Sequence, residues 1–288
     1  MLKLVVAAFV AVIATAGSFG IARVNAQVAV VAGPVGDHYL GYKVTVAASP
    51  AFVPDQVLLT NQLDAQKLYN VVKPLRLYNP AAKRITPVHT AGVLNPDLHY
   101  VGYEIALPDG VPPNTFDPGL MVQDQFGTFI VEARTAAMLL VPTAKKIGGA
   151  PEPLNQATDA ANHYACYNVR VQQSYNSTGI FGLAVTIRDQ FRQPRQFKVG
   201  APTMLCNPAV KIHNQVPSPM VDPQLHLLCH KTKALVAFNP VGNIYTLNQM
   251  GPQKMRATEE VDFCVPAWKL HDTPMPPVTD PPIEPPPV

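Results

Sequence analysis

Charged side chains are scarce in this chain of 288 residues: they make up 14% of it, and the formal net charge is +3. A chain this close to neutrality offers no basic surface for phosphate contacts, so we expect no nucleic-acid partner. The glycine-rich loops that bind nucleotides and the G-x-S-x-G motif of nucleophilic serines are missing from the sequence. The sequence therefore predicts no cofactor and offers no recognisable set of catalytic residues.

Long apolar runs are missing everywhere except at the N-terminus. Met1-Leu2-Lys3 precedes an apolar stretch over residues 4–16, and small residues follow at Val24-Asn25-Ala26. This order predicts a secretory signal peptide over residues 1–26, cleaved after Ala26, with an uncleaved N-terminal anchor as the alternative. We expect the mature chain to be secreted or held at the cell surface, without a membrane span.

What the sequence does contain is a motif that occurs four times. Each copy opens with a histidine before an apolar residue, continues through an Asn-Gln or Asp-Gln pair, and closes with a proline three residues before a lysine. The opening histidines, 61, 64 and 63 residues apart, are His38, His99, His163 and His226; the pairs are Asn61-Gln62, Asp124-Gln125, Asp189-Gln190 and Asn248-Gln249; the closing residues are Pro80 and Lys83, Pro142 and Lys145, Pro208 and Lys211, and Pro266 and Lys269. A fixed period of this length indicates stacked units, here called repeats 1 to 4, none of which buries its apolar face alone.

The odd and even repeats differ where they close. Odd repeats end in Asn-Pro, at Asn79 and Asn207, whereas even repeats end in Val-Pro, at Val141 and Val265. A unit of about 50 residues is marginal as an independent core, whereas about 110 residues is an ordinary domain. We therefore expect one odd and one even repeat to form each domain.

The predicted fold class is all-β, because the repeats contain segments rich in β-branched and aromatic residues. Each repeat is expected to supply three or four short strands that pair into two tandem sandwich or barrel-like domains, with a closed four-bladed ring as the alternative. The predicted segments are a signal peptide (1–26), a leader (27–36), a first β domain (37–146), a linker (147–160), a second β domain (161–270) and a Pro-rich disordered tail (271–288).

Cysteine is lacking from the first two repeats, and the four cysteines of the other two occupy equivalent positions. Cys166 and Cys229 lie three residues after an opening histidine, and Cys206 and Cys264 lie two residues before a closing proline. Both positions are cysteine in repeats 3 and 4 and neither is in repeats 1 and 2, which predicts the disulfides Cys166–Cys206 and Cys229–Cys264. A zinc site is the rival interpretation, but the closely spaced C-x-x-C pairs typical of one are missing.

The Asn-Gln and Asp-Gln pairs are the first candidates for chemistry. Asp124 and Asp189 could act as general acids or bases, but Asn61 and Asn248 at the same position cannot. All four side chains can cap a turn through an oxygen atom, so we interpret the position as structural. The glutamine that follows is expected to be a buried amide that bonds neighbouring backbone.

The opening histidines are the second candidates. If His38, His99, His163 and His226 converged on one axis, their imidazoles could bind a metal ion. The competing interpretation, which we favour, is a residue at the start of a strand that forms local hydrogen bonds. No metal site and no catalytic site is therefore predicted, and the four histidines stay weak candidates for metal ligands.

The repeat resembles that of an uncharacterised family of bacterial secreted proteins, classed as a domain of unknown function. Its paired repeats have the forms His-x-x-Cys-Tyr, Asp-Gln-Phe-Gly and Leu-Cys-Asn-Pro. The resemblance covers roughly residues 37–270 and is closest at Cys166-Tyr167, Asp189-Gln190-Phe191, Leu205-Cys206-Asn207-Pro208 and Cys264-Val265-Pro266. It implies architecture and export, and it carries no activity.

These features lead to three hypotheses about function. The first is a secreted, non-enzymatic structural, adhesive or binding module, whose partner is an unknown extracellular or cell-surface ligand. The second is a metal or small-ligand binding protein that uses the opening histidines. The third is a hydrolase of unrecognised type that uses Asp124 and Asp189.

Overall fold

The computed structural model describes residues 34–85, 89–113, 118–155, 160–175 and 184–270. The predicted signal peptide and Pro-rich tail lie outside these residues, as do parts of the predicted leader and linker. Nowhere in the described ranges is there a helix that could cross a membrane.

The described residues form fourteen strands. They are β1 (His38–Val46), β2 (Asp55–Asn61), β3 (Asp64–Ile85), β4 (His89–Ala91), β5 (His99–Ala106), β6 (Leu120–Asp124), β7 (Gly127–Ile147), β8 (His163–Tyr175), β9 (Ala184–Arg188), β10 (Arg195–His213), β11 (Val216–Ser218), β12 (His226–Ala234), β13 (Val241–Asn248) and β14 (Gly251–Leu270). The all-β prediction is therefore confirmed.

Each repeat contributes three main strands whose limits coincide with the motif. The opening histidine is the first residue of the first strand, and the Asn/Asp-Gln pair turns the second strand into the third. The third strands, β3, β7, β10 and β14, carry the closing proline and lysine. They are 22, 21, 19 and 20 residues long, so the expectation of short strands is wrong for them. Register shifts interrupt their pairing, so one strand can serve different neighbours at its two ends.

The first and third strands of all four repeats close into a ring. Each strand pairs antiparallel with the next in the order β1, β3, β5, β7, β8, β10, β12, β14, and β14 pairs with β1. Closure leaves none of these strands as an edge of the ring. The closure of the alternative expectation is thus found, but the ring is one continuous sheet and not four separate blades.

The second strands connect repeats that lie two apart in the sequence. Strand β2 of repeat 1 pairs with β10 of repeat 3, and β9 of repeat 3 pairs with β3 of repeat 1. Strands β6 and β13 make the same exchange between repeats 2 and 4. The structure therefore has one sheet where two tandem sandwiches were expected, because every repeat pairs with strands from both predicted domains.

Side chains alternate between two core layers, as the period of two in a strand requires. Tyr39 belongs to a small cluster to which all eight ring strands contribute, so this cluster lies inside the ring. Its neighbours Leu40 and Tyr42 belong to a larger cluster with the opposite face of the ring strands and with residues of the second strands. Both layers are fully buried at their centres.

The inner cluster contains two disulfides, Cys166–Cys206 and Cys229–Cys264. Each joins the first and third strands of one repeat. In repeats 1 and 2 the same register positions pair Gly41 with Tyr78 and Gly102 with Leu140. A Cβ atom at Gly41 would meet Asp262 and Tyr78, and one at Gly102 would meet Met138 and Leu140. In repeats 1 and 2, the large side chain opposite each glycine thus occupies the space that a disulfide occupies in repeats 3 and 4.

Candidate functional site

The Asn/Asp residue of every repeat caps the turn between the second and third strands. Its Oδ1 atom accepts a hydrogen bond from the backbone N–H two residues later. The donors and distances are Leu63 to Asn61 at 2.8 Å, Phe126 to Asp124 at 2.7 Å, Phe191 to Asp189 at 2.9 Å and Met250 to Asn248 at 2.8 Å. The interpretation of this position as a turn cap is confirmed.

The other side-chain atom of each cap reaches a ring strand of the repeat two places away. The partner is always the residue four positions after an opening histidine, a position that the motif of the sequence does not include. The pairs are Asp189 with the Tyr42 hydroxyl at 2.7 Å, Asn248 with that of Tyr103 at 3.0 Å, Asn61 with that of Tyr167 at 2.8 Å, and Asp124 with His230 Nε2 at 2.6 Å. Its regular spacing from the histidine was the signal that could have revealed it.

The Asp124–His230 pair resembles half of an acid–base catalytic set, but its surroundings oppose that role. Both side chains are fully buried. His230 Nδ1 lies 2.9 Å from the carbonyl oxygen of Gly200 and donates there, and Nε2 lies 2.6 Å from Asp124 Oδ2. Without access for a substrate, this pair serves to join repeats 2 and 4.

The opening histidines lie at four junctions, and two of them, His38 and His226, contact the glutamine of another repeat. Gln125 contacts His38, and the Oε1 atom of Gln62 lies 3.2 Å from His226 Nε2. The expectation of a buried amide that bonds neighbouring backbone is wrong for these glutamines: Gln62 and Gln190 are exposed and donate to the carbonyls of Pro223 and Pro96, which are distant in sequence, whereas the buried Gln125 contacts a histidine. Within the described ranges no group of three or more His, Cys, Asp or Glu side chains is placed to hold a metal ion.

Three of the closing lysines are buried and Lys145 is half-buried, and this burial lowers their pKa values. The pKa falls to about 7 for Lys83 and Lys145, and to about 8 for Lys211 and Lys269. Two of them have amide partners: Lys145 Nζ donates to Asn79 Oδ1 at 2.7 Å and Lys269 Nζ to Asn207 Oδ1 at 2.8 Å. These contacts explain the difference between odd and even repeats, because an even lysine uses the asparagine of the odd repeat before it.

Lys83 and Lys211 have different surroundings. At the register position where Lys145 and Lys269 have an asparagine, Lys83 has Val265 and Lys211 has Val141. The Nζ atoms of both have no hydrogen-bond partner in the described part of the chain. Lys83 Nζ lies 5.1 Å from the ring centroid of Phe126, and the nearby charge of Asp124 raises its pKa against the effect of burial. These buried amines destabilise the fold unless another contribution compensates.

Two clefts on the surface differ in chemistry. One of about 580 Å³ is lined by Arg188, Arg192 and Arg195. Of these, Arg192 contacts the carbonyl of Asn239, and Arg195 pairs with Glu260. Two of its three guanidinium groups are thus already engaged within the protein.

The second cleft, of about 520 Å³, opens where repeats 3 and 4 meet and is here called the junction cleft. Its walls are proline and aliphatic side chains, among them Pro142, Pro217 and Leu247, and no charged side chain of the described residues lines it. Polar groups come from His163, Ser218, Asn248 and Gln249. Burial lowers the pKa of His163 to about 3, with Lys211 lowering it further and Gln249 acting in the opposite direction, so its imidazole is neutral.

Comparison with known proteins identifies the repeat but no activity. The model of a family described as a repeat of unknown function, DUF7450, matches residues 101–266. No curated protein matches the chain significantly. No solved structure matches it either.

Proposed function

The chain belongs to this family of repeats of unknown function, and we propose that it is an exported, non-enzymatic binding module. One observation carries the proposal: the recurring polar residues of the motif contact other repeats, whereas the junction cleft stays open. Motif residues line the junction cleft too, but its size and lack of charge set it apart from the equivalent junction, because the cleft between Pro80 and the turn at Asp189 is smaller, about 340 Å³, and is lined by Arg188 and Asp189.

Export is supported by two kinds of observation. The N-terminal residues have the order of a secretory signal, and both disulfides need an oxidising compartment to form. Every cysteine of the chain is used in these disulfides. The ring would then present the junction cleft to the extracellular medium.

The lining of the cleft selects a class of ligand. A cleft of this size falls within the range of sites for small molecules, and apolar walls with a few polar groups are typical of them. A charged ligand would lose hydration without meeting an opposite charge, and this costs several kcal/mol. We therefore propose a neutral, largely apolar ligand that exchanges one or two hydrogen bonds with Ser218 or Gln249.

The test uses a neutral and an anionic apolar dye, Nile red and an anilinonaphthalene sulfonate, on the purified oxidised protein. We expect saturable binding of Nile red, weakened at least about tenfold by Leu247→Asp, since a charge in the cleft costs more than about 1.4 kcal/mol. Leu68→Asp is the matched control, because Leu68 is an exposed leucine outside the cleft. Absence of saturable binding, or equal weakening by both substitutions, would contradict the proposal.

The biological partner requires a second measurement. Labelled protein is incubated with cell-envelope fractions, extracellular matrix and glycan arrays. We expect retention by at least one of them, and competition by the neutral dye. Failure to bind any of the three would remove the adhesive and binding role.

A further inference from the structure

One junction brings together three groups whose chemistry goes beyond hydrogen bonding. Lys145 Nζ lies 2.7 Å from Asn79 Oδ1, the atom bonded to the amide carbon Cγ. Asn79 Nδ2 donates to Asp189 Oδ2 at 2.8 Å, and Tyr42 holds the same oxygen at 2.7 Å. Lys145 Nζ also lies 4.2 Å from the ring centroid of Phe191, in an apolar wall. An amine, an amide and a carboxylate are thus held in contact by three different repeats.

From this geometry we propose that Lys145 and Asn79 become joined by a covalent amide bond, an isopeptide cross-link, with Asp189 as the catalytic proton carrier. The bond would link Nζ to Cγ across 66 residues of sequence. It would form once, within the folded chain, without an enzyme. The proposal is independent of any ligand in the junction cleft.

The reaction exchanges one amide for another. The unprotonated Nζ attacks Cγ of Asn79, and the new C–N bond gives a tetrahedral intermediate with the negative charge on Oδ1. The proton lost by Nζ reaches Nδ2 through the carboxylate of Asp189, which already contacts Nδ2. The Cγ–Nδ2 bond then breaks, the carbonyl forms again, and Nδ2 leaves as ammonia. No oxidant, cofactor or water is consumed.

Two physical effects favour the attack. Burial lowers the pKa of Lys145 to about 7, so much of the amine is unprotonated near neutral pH. The fold holds amine and amide in contact, which replaces a bimolecular encounter by a unimolecular step. Because the reaction needs to occur only once in each molecule, even a slow step is sufficient.

The other three junctions lack at least one of the groups. Lys269 has Asn207 at 2.8 Å, but the equivalent turn residue is Asn61, and Asn207 Nδ2 has no hydrogen-bond partner among the described residues. At Lys83 the turn residue is Asp124, but valine replaces the asparagine. At Lys211 both groups are replaced, by Val141 and Asn248. The chain therefore contains its own set of controls.

The experiment measures the mass of the full-length exported protein after reduction and denaturation. We expect a mass lower than that of the sequence by one ammonia molecule. In a tryptic digest, peptide 77–83, which contains Asn79, should be linked to peptide 135–146, which contains Lys145. A full mass, or an ammonia loss located at Gln27, which would become the N-terminal residue and can cyclise, would overturn the proposal.

Variants assign the roles. Asp189→Asn and Lys145→Arg should both restore the full mass, whereas Lys269→Arg should leave the ammonia loss unchanged. Asparagine caps the equivalent turn at Asn61 and Asn248, so Asp189→Asn is expected to fold, which disulfide content and thermal unfolding will check. Persistence of the cross-link in folded Asp189→Asn would overturn the role of the carboxylate.

Discussion

Repeat 2 lacks the disulfide of repeats 3 and 4, and the structure indicates that one can be introduced there. Gly102 and Leu140 face each other at the register position that Cys166 and Cys206 occupy in repeat 3. Replacing both residues with cysteine should give a third disulfide between adjacent ring strands. The Gly41–Tyr78 position of repeat 1 is less suitable, because a Cβ atom there would meet Asp262, which pairs with Arg76.

The expected gain follows from three contributions. A disulfide between residues 102 and 140 closes a loop of about 38 residues, which stabilises by about 4 kcal/mol in the chain-entropy model. Truncation of the buried Leu140 costs about 1–2 kcal/mol, and a Cβ atom at residue 102 displaces the flexible Met138 side chain for about 1 kcal/mol. The net gain of about 1–2 kcal/mol corresponds to a rise of about 2–8 °C in the unfolding midpoint.

The assay is thermal unfolding followed by circular dichroism, with the single variants Gly102→Cys and Leu140→Cys as controls. Each single variant should be less stable than wild type, and the double variant should exceed the sum of the two by about 4 kcal/mol. Thiol titration and non-reducing peptide mapping should show the new bond beside the two native ones. A folded double variant that keeps two free thiols would refute the equivalence of the two positions.

Three further predictions concern the buried polar groups. Lys83→Met should stabilise by about 1–3 kcal/mol at pH 6 in urea denaturation, since an unpaired buried amine is removed. Burial lowers the pKa of Lys83 from 10.5 to about 7, so the cost of burying its charge is complete below pH 7 and disappears toward pH 10.5. The stability advantage of Lys83→Met should therefore shrink between these pH values, and an advantage that stays constant would contradict this prediction. Gln125→Ala should cost about 1–3 kcal/mol by removing a partner of a buried histidine, whereas Gln190→Ala at an exposed equivalent position, where the amide donates to the Pro96 carbonyl, should cost under about 0.5 kcal/mol, and equal costs would be inconsistent with the junction geometry. Asp124→Ala should lose both the turn cap and the contact with His230, at about 1–3 kcal/mol, and an unchanged denaturation midpoint would show that these contacts contribute nothing.

The interchange of Asp and Asn at the turn illustrates what a sequence can reveal. Both side chains offer an oxygen to a backbone N–H two residues away, so a local interaction accounts for the cap, and the sequence was sufficient to predict it. The second contact of the same side chain, from Asp189 to Tyr42, spans 147 residues. No local pattern specifies such a partner, because it depends on which strands become neighbours.

The odd–even difference also depends on contacts that no local pattern specifies. The odd–even difference was a real signal, but it arises from the contacts of Lys145 with Asn79 and of Lys269 with Asn207, and these lie within a continuous ring. Chain length favoured two cores of ordinary size. The structure instead exchanges second strands between repeats that lie two apart, so hydrogen bonding extends over all four.

The sequence by itself determined the all-β class, the repeat and the equivalence of the cysteine positions, because each depends on residue type and spacing along the chain. Only the tertiary structure decided that the four repeats close into one ring, that His38 meets Gln125 from another repeat, and that Lys145, Asn79 and Asp189 are in contact. The reason is physical: strand propensity and turn chemistry act over a few residues, whereas ring closure depends on the pairing of edges far apart in sequence.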